Sequence, residues 1–386
     1  MNKYLNKDYA LFHKNVKADT GLIDGAKKVV KNSTVQYILF GLLMCFIGYL
    51  ATEKIIPDLI PYTIQRSLAI TFTYAIASVG FCLLMGYSGL ASLGIGGCIG
   101  IGTYSVHFIM VEAKLPFFIS LVTAIAISIL IGLVVGFISL RIEGIYLVIL
   151  TLALSEILRA IYAADPDISH INLLSSQAHI FGIQIRSDMK LLLVMIFLVI
   201  ILTITTNLIK SPTGRAMLAM KNSTAAAQAM GISLIKYRLM AFVICTVYAA
   251  ITGVLYMFVM GSADATNPTG DYALMTSLNI LAAVIIGGYK SIWGSIVGTF
   301  IMYGIKRVIF DDLFGKIISE LSEKLPIIKE VEQYIPLAIT LSSGVLVIVI
   351  AMFFPGGLAQ LLTELKLKIT KLFKKIKEAR YGKDLG

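Results

Sequence analysis

The chain has 386 residues, of which 58% are hydrophobic and only 14% charged, and its mean hydropathy is +0.86. That apolar share is far above the level of a water-soluble globular domain, which excludes a soluble protein. A net charge of +11 would suit nucleic acid binding in a soluble protein, but here the basic residues gather in two tails and one central loop. Membrane topology accounts for that distribution, and no nucleic-acid partner is expected.

Residues 1–34 hold seven lysines and no apolar run long enough for the core of a signal peptide, so they read as a cytoplasmic N-terminal tail followed by a retained anchor. From residue 35 to 354 no hydrophilic stretch reaches domain size. Only helices or closed barrels satisfy their backbone inside a membrane, and an apolar helix of about 20 residues crosses the hydrocarbon core. The apolar runs predict about ten helical spans, near 35–51, 62–85, 91–111, 116–140, 144–163, 190–209, 239–260, 274–288, 292–310 and 335–354.

Loops facing the cytoplasm should be the richer in Lys and Arg. Ten spans put both tails inside, together with Arg141, the group Lys210, Arg215, Lys221, Lys236 and Arg238, then Lys290, and the eight basic residues after Pro355. Residues 311–334 mix acidic and basic side chains and predict a helix on the outer surface. In the tail 355–386, leucines, isoleucines and a phenylalanine recur at helical spacing among lysines. Two readings stand for it: an amphipathic helix along the inner leaflet, in contact with lipid, or a solvated basic tail. Cys45, Cys82, Cys98 and Cys245 all fall inside apolar runs without paired spacing, and read as small core residues rather than a disulfide or metal framework.

The segment 86–102, GYSGLASLGIGGCIGIG, carries seven glycines, too many for an ordinary span. Gly94, Gly96 and Gly97 either let helices approach closely or interrupt a helix that exposes backbone to a translocation pathway. Its glycine spacing matches neither a nucleophile elbow nor a dinucleotide fingerprint, so no catalytic residue is assigned. Glu156 and Arg159 stand three residues apart on one face of the fifth span, where they can neutralise each other. A salt bridge near the outer end and a role in substrate passage are both open. Arg66 and His107 are lone polar groups near span ends, reaching for the interface.

The hydrophilic segment 210–238 predicts two short helices: Pro212 suits an early helical position, Asn222 or Ser223 can cap the second helix and Gly231 can end it. Between them lie Ala225, Ala226, Ala227 and Ala229, helix formers of little bulk. The surface they offer is shallow, as a docking site for a soluble partner requires, although a plain connecting loop would also tolerate it.

These residues resemble the cytoplasmic coupling loop of ABC-importer permeases, in which two alanines, here Ala226 and Ala227, precede a glycine, here Gly231; Ala225 stands where the family has a glutamate. LRIEGIYLVILTLALSEILR at 140–159, GRAMLAMKNSTAAAQAMGI at 214–232, IIGGYKSIWGSIVGT at 285–299 and FPGGLAQLL at 354–362 are similar, in matching order, to LivM-type branched-chain amino acid permeases. The resemblance implies an all-α polytopic bundle like a type II ABC importer, multi-pass in a bacterial inner membrane. It also implies four kinds of contact: a homologous permease subunit, two cytoplasmic ATPase subunits, an external solute-binding protein and membrane lipid. Gly214, Arg215, Ala226, Ala227 and Gly231 would couple to the ATPases. No phosphate loop occurs in the chain, so ATP would be hydrolysed on another subunit, with no cofactor or metal on this one and no enzyme activity of its own. Nucleoside, urea or other amino-acid cargo fits the same mechanism. An ion-coupled carrier would instead need more charges deep in the spans.

Overall fold

The computed structural model describes residues 33–52, 62–139, 144–164, 169–173, 179–180, 183–184, 189–266, 272–304 and Met352. The predicted span at 335–354, the mixed-charge segment at 311–334 and both tails lie outside the described residues, apart from Ser33, Thr34 and Met352.

Each apolar run before residue 304 folds as a helix. In chain order these are α1 (Ser33–Thr52), α2 (Tyr62–Leu83), α3 (Ile95–Val106), α4 (Phe117–Ser139), α5 (Ile145–Ala163) and α6 (Met189–Lys210). Then come the short α7 (Pro212–Asn222) and α8 (Thr224–Ala229), followed by α9 (Leu234–Met260), α10 (Leu274–Gly287) and α11 (Ile292–Thr299). Wider π-helical turns prolong α2 through Leu84–Ser88 and α3 through His107–Glu112. Six of the described helices are long and apolar enough to cross a membrane.

Three of these form the inside of the bundle and three its outside. The most apolar stretches of α2, α9 and α3, each including any π-helical extension, are 89%, 83% and 78% buried, whereas those of α4, α5 and α6 are 28%, 28% and 39% buried. Central α9 packs against α2, α3 and α4, while α1 lies on α6 and stacks Tyr37 on Trp293 with ring centroids 4.9 Å apart. The exposed apolar side chains of α4 and α5, such as Leu130, Phe137, Ile149 and Ile157, form the faces that meet lipid or another chain.

Small residues set the closest crossings. A Cβ on Gly102 of α3 would fall on the backbone carbonyl of Ala250, and one on Gly253 of α9 would fall on that of Ile99. The two backbones therefore touch, and the Thr103 hydroxyl donates across the crossing to the Gly253 carbonyl at 3.1 Å. Gly287 and Gly298 make a similar contact between α10 and α11.

Two details depart from the sequence expectations. Residues 91–94 are an irregular, bent approach to α3 rather than its first turn, and α9 starts at Leu234, because Lys236 and Arg238 continue the helix beyond the apolar run. The eighth span, α10, has 14 residues, about 21 Å of helix at 1.5 Å per residue. It is shorter than the roughly 30 Å hydrocarbon core. Two short antiparallel ribbons join the helices: β1 (His170–Asn172) pairs with β4 (Ser262–Asp264), and β2 (His179–Ile180) with β3 (Ile183–Gln184). The first ties the α5–α6 connection to the end of α9.

That end of α9 is also capped by charge. Gly261 takes the left-handed conformation, Arg66 donates to the Met260 carbonyl at 3.2 Å and Lys190 to that of Val259 at 3.3 Å. Cations at a helix C-terminus satisfy orphan carbonyls and oppose the helix dipole. Arg66 thus has a helix end for a partner, and His107 pairs with Glu112 at 3.3 Å.

Candidate functional site

The two short helices lie at the opposite end of the bundle from the β1–β4 ribbon. Ser211 starts α7 by accepting from the Gly214 amide at 3.4 Å, with Pro212 in the first turn where its missing N–H costs nothing. Ser223 is extended, ends α7 through its own amide, and caps α8 by accepting from the Ala226 amide at 3.2 Å. Of the two predicted caps, Ser223 is the one used. Gly231 closes α8 at φ +77°, its amide bonded to the Gln228 carbonyl and that of Ile232 to the Ala227 carbonyl, both at 2.9 Å. This is the left-handed termination that glycine favours.

The residues expected to couple to a partner divide between docking inward and facing out. Gly214 is buried against the Ile209 backbone, and Arg215 reaches back to the Lys210 carbonyl at 3.0 Å, so both fasten α7 to the end of α6. Ala227 is buried, whereas Ala226 and Gly231 are exposed beside Met230, which is 82% exposed. The outer surface of α8 is thus a low, mostly alanine platform with one protruding methionine.

Lys221, at the end of α7, joins this platform to the spans. Its Nζ donates to the Gly86 carbonyl at 2.7 Å and stands 4.5 Å from the centroid of the Tyr289 ring. Sequence reasoning placed Lys221 only among the basic loop residues. No local pattern distinguishes it from Lys236 or Lys210.

Beyond Gly86 the chain turns at Gly89, φ +76°, and enters α3. The first amides of a helix have no intrahelical partner, and inside a membrane water does not replace one. Here hydroxyls of neighbouring helices supply the acceptors. Leu93 donates to Thr151 Oγ1 at 3.0 Å, Gly97 to Ser155 Oγ at 2.8 Å, both on α5, and Gly96 to Ser277 Oγ on α10 at 2.8 Å. Cβ atoms on Gly96 or Gly97 would crowd the same partners, at 2.8 Å from the Ala273 carbonyl oxygen and from the Ser155 Cα. Gly94 lines a small cleft with Ser92, Ile95, Leu154, Phe242 and Thr246, between α2, α3, α5 and α9. Cys82, Cys98 and Cys245 are free and buried.

Changing Ser155 and Ser277 together to alanine would leave two buried amides without acceptors, each worth about 1–3 kcal/mol. The expected result is a clear fall in the thermal midpoint of the detergent-purified chain. An unchanged midpoint would mean that these hydroxyls do not hold the start of α3.

Glu156 and Arg159 pair at 2.9 Å on α5, half-buried, and Arg159 also donates to the Ala265 carbonyl at 3.4 Å, next to the β1–β4 ribbon. The pair therefore lies toward the ribbon end, between α5 and the strand that follows α9. At the start of α3, Gly97 packs on α5 at Ser155, the residue before Glu156, and accepts from the Tyr162 hydroxyl at 3.2 Å, while Gly96 lies against Ala273 where α10 begins. The two groups of expected pathway residues thus adjoin along α5.

The family model of the branched-chain amino acid transport system permease component matches residues 63–341. The chain is 27% identical over 262 residues to the high-affinity branched-chain amino acid transport system permease protein LivM of Salmonella typhimurium strain LT2, over 60% of this chain and 61% of that protein. It is 26% identical over 273 residues to the protein of the same name from Escherichia coli strain K12, 63% of each. The chain thus spans a little over three fifths of the length of these relatives. No solved structure matches it. With the family match covering most of the chain, and with its apolar helices and paired short helices in place, this polytopic membrane protein belongs to the branched-chain amino acid transport system permease family.

Proposed function

We propose that the chain is the membrane-spanning permease subunit of an ATP-driven importer for branched-chain amino acids. The observation that carries this reading is the capped pair α7–α8, fastened to α6 by Gly214 and Arg215 and presenting Ala226, Gly231 and Met230 outward. A rigid platform with a shallow face suits a soluble ATPase, which would do the hydrolysis on its own chain. Two such ATPases, a homologous permease and an external solute-binding protein complete the assembly. The chain itself has a transport role and no catalytic one.

Lys210, Arg215, Lys221, Lys236, Arg238 and Lys290 gather at the α7–α8 end, which supports its cytoplasmic placement. Closure of the ATPases would push this end and bias the helices between outward-open and inward-open states. Gly94 at its cleft and the Glu156–Arg159 pair on α5 are the positions proposed to border substrate, whereas Gly96 and Gly97 act by close approach. The branched-chain cargo rests on the names of the two LivM relatives.

The test is a mild-detergent pull-down of the tagged chain from its native membrane, with mass spectrometry of the copurifying proteins. Two ATPases and a sister permease are expected, and a copurified binding protein should bind leucine, isoleucine or valine in calorimetry. Recovery of the chain alone, from membranes that preserve comparable complexes, would replace this reading with that of an ion-coupled carrier. A binding protein selective for nucleoside or urea would change the cargo and keep the mechanism.

A further inference from the structure

Three segments from distant parts of the chain converge beneath α7. At the π-helical turn that ends α2, the Leu84 carbonyl accepts the Gly89 amide as well as the Ser88 hydroxyl at 2.6 Å and the Leu90 amide at 3.3 Å. The Gly86 carbonyl receives Lys221. The turn between α10 and α11 lies directly against it, since a Cβ on Gly86 would fall on the Tyr289 carbonyl, and the Cys82 thiol donates to that same carbonyl at 3.4 Å. The Lys221 stem covers Gly89, where a Cβ would be 3.2 Å from its Cγ.

We propose that Lys221 is a positioning residue that locks the coupling helix α7 to the ends of α2 and of the α10–α11 hairpin, delivering the platform's movement to the glycine-rich entry of α3. The inference rests on the permease reading above. An ammonium at a helix C-terminus is held both by the carbonyl it meets and by the helix dipole, and the Tyr289 ring adds a cation–π contact. Lys221 keeps this place although burial, and after it the Lys290 ammonium, lowers its pKa from the usual lysine value. A solvated lysine would carry no such cost.

The route beyond the lock is short and rigid. From Gly86 and Gly89 the chain reaches Leu93, Gly96 and Gly97, whose amides are tied to α5 and α10 by Thr151, Ser277 and Ser155. Lys221 is therefore the polar link by which movement of α7 reaches these three spans. α7 is also tied to α6 through Gly214 and Arg215, and it packs on α9 and on the turn that ends α2 with Met217 and Met220 buried.

The test uses the assembled transporter in proteoliposomes and reads substrate taken up per ATP hydrolysed. Lys221→Met should keep assembly and ATPase activity while uptake per ATP falls on the order of tenfold, within the usual range of coupling between sites. Lys221→Arg, which restores a cationic donor, should recover most of it. Tyr289→Leu should lower the same ratio, and the double variant should be no worse than Lys221→Met alone, because both changes break one contact. An unchanged ratio in Lys221→Met, or additive losses in the double variant, would overturn the lock and leave the permease reading intact. If Lys221→Met does not assemble, Tyr289→Leu decides by itself: a wild-type ratio there overturns the lock. Failure of the unaltered chain to bring ATPases with it would overturn the permease reading itself.

Discussion

Replacing Gly253 with leucine is expected to leave no folded protein. The α3–α9 crossing lies between two of the three most buried helices, and the added side chain would have to occupy the space of the Ile99 carbonyl and the Thr103 amide. Neither can rotate away, because both belong to the backbone of α3. Overpacking a core against movable side chains already costs about 1–3 kcal/mol, and here the helices themselves must separate. Separation would also break the Thr103 to Gly253 hydrogen bond, and exposes no apolar surface whose burial elsewhere could compensate. Gly253→Ala should show the same effect in milder form, as a lower thermal midpoint. Gly136→Ala is the control: its nearest obstacle is the flexible tip of Leu239, at 2.6 Å, so its midpoint should stay near that of the unaltered protein. Size-exclusion chromatography and thermal unfolding in detergent read all three. A monodisperse Gly253→Leu protein with an unchanged midpoint would show that α3 and α9 do not touch at this point.

The helices were legible because membrane burial writes itself locally: a run such as 117–139 has no charge and admits no other structure. The pair α7–α8 was legible for a different reason. Pro212, Ser223 and Gly231 each act on backbone groups within a few residues, so their roles can be read without knowing the fold. Ser211 works by the same local rule, yet it went unassigned because the apolar run ends beside it.

What stayed hidden depends on contacts distant in sequence. Seven glycines in segment 86–102 signalled something unusual, but whether they face a cavity or a neighbouring backbone is decided by α5, α9 and α10. Ser155 and Ser277 look like ordinary small residues of apolar helices until their hydroxyls are seen on the amides of Gly97 and Gly96. Lys221 is one of several lysines in its loop, and its acceptor is 135 residues away. The β1–β4 ribbon has strands of three residues, too short for alternation to appear. Glu156 and Arg159 were paired by helical spacing alone, whereas the link from Arg159 to Ala265 required the fold.

Replacing Gly231 with valine should separate ATP hydrolysis from uptake while the chain still folds. A Cβ at this position meets no atom within 4 Å, so no clash arises and the cost is confined to the backbone. At φ +77° an L residue pays roughly 1–2 kcal/mol, and a β-branched one pays most. That cost is small beside the stability of the spans, but large for α8, a helix of six residues held by one serine cap and a handful of backbone bonds. The expected result is a normal thermal midpoint with a frayed α8, and loss of the platform formed by Ala226, Gly231 and Met230. Docked ATPases would then hydrolyse ATP without moving α7, or would fail to dock. Asparagine tolerates the left-handed region better than other residues with a side chain, so Gly231→Asn should retain most of the uptake that Gly231→Val loses. The two variants differ little in volume and strongly in backbone preference. Equal uptake per ATP from both, at equal protein level, would mean that the turn at Gly231 plays no part in coupling; a deficit in valine alone would place the turn itself in the path between the ATPase and the bundle.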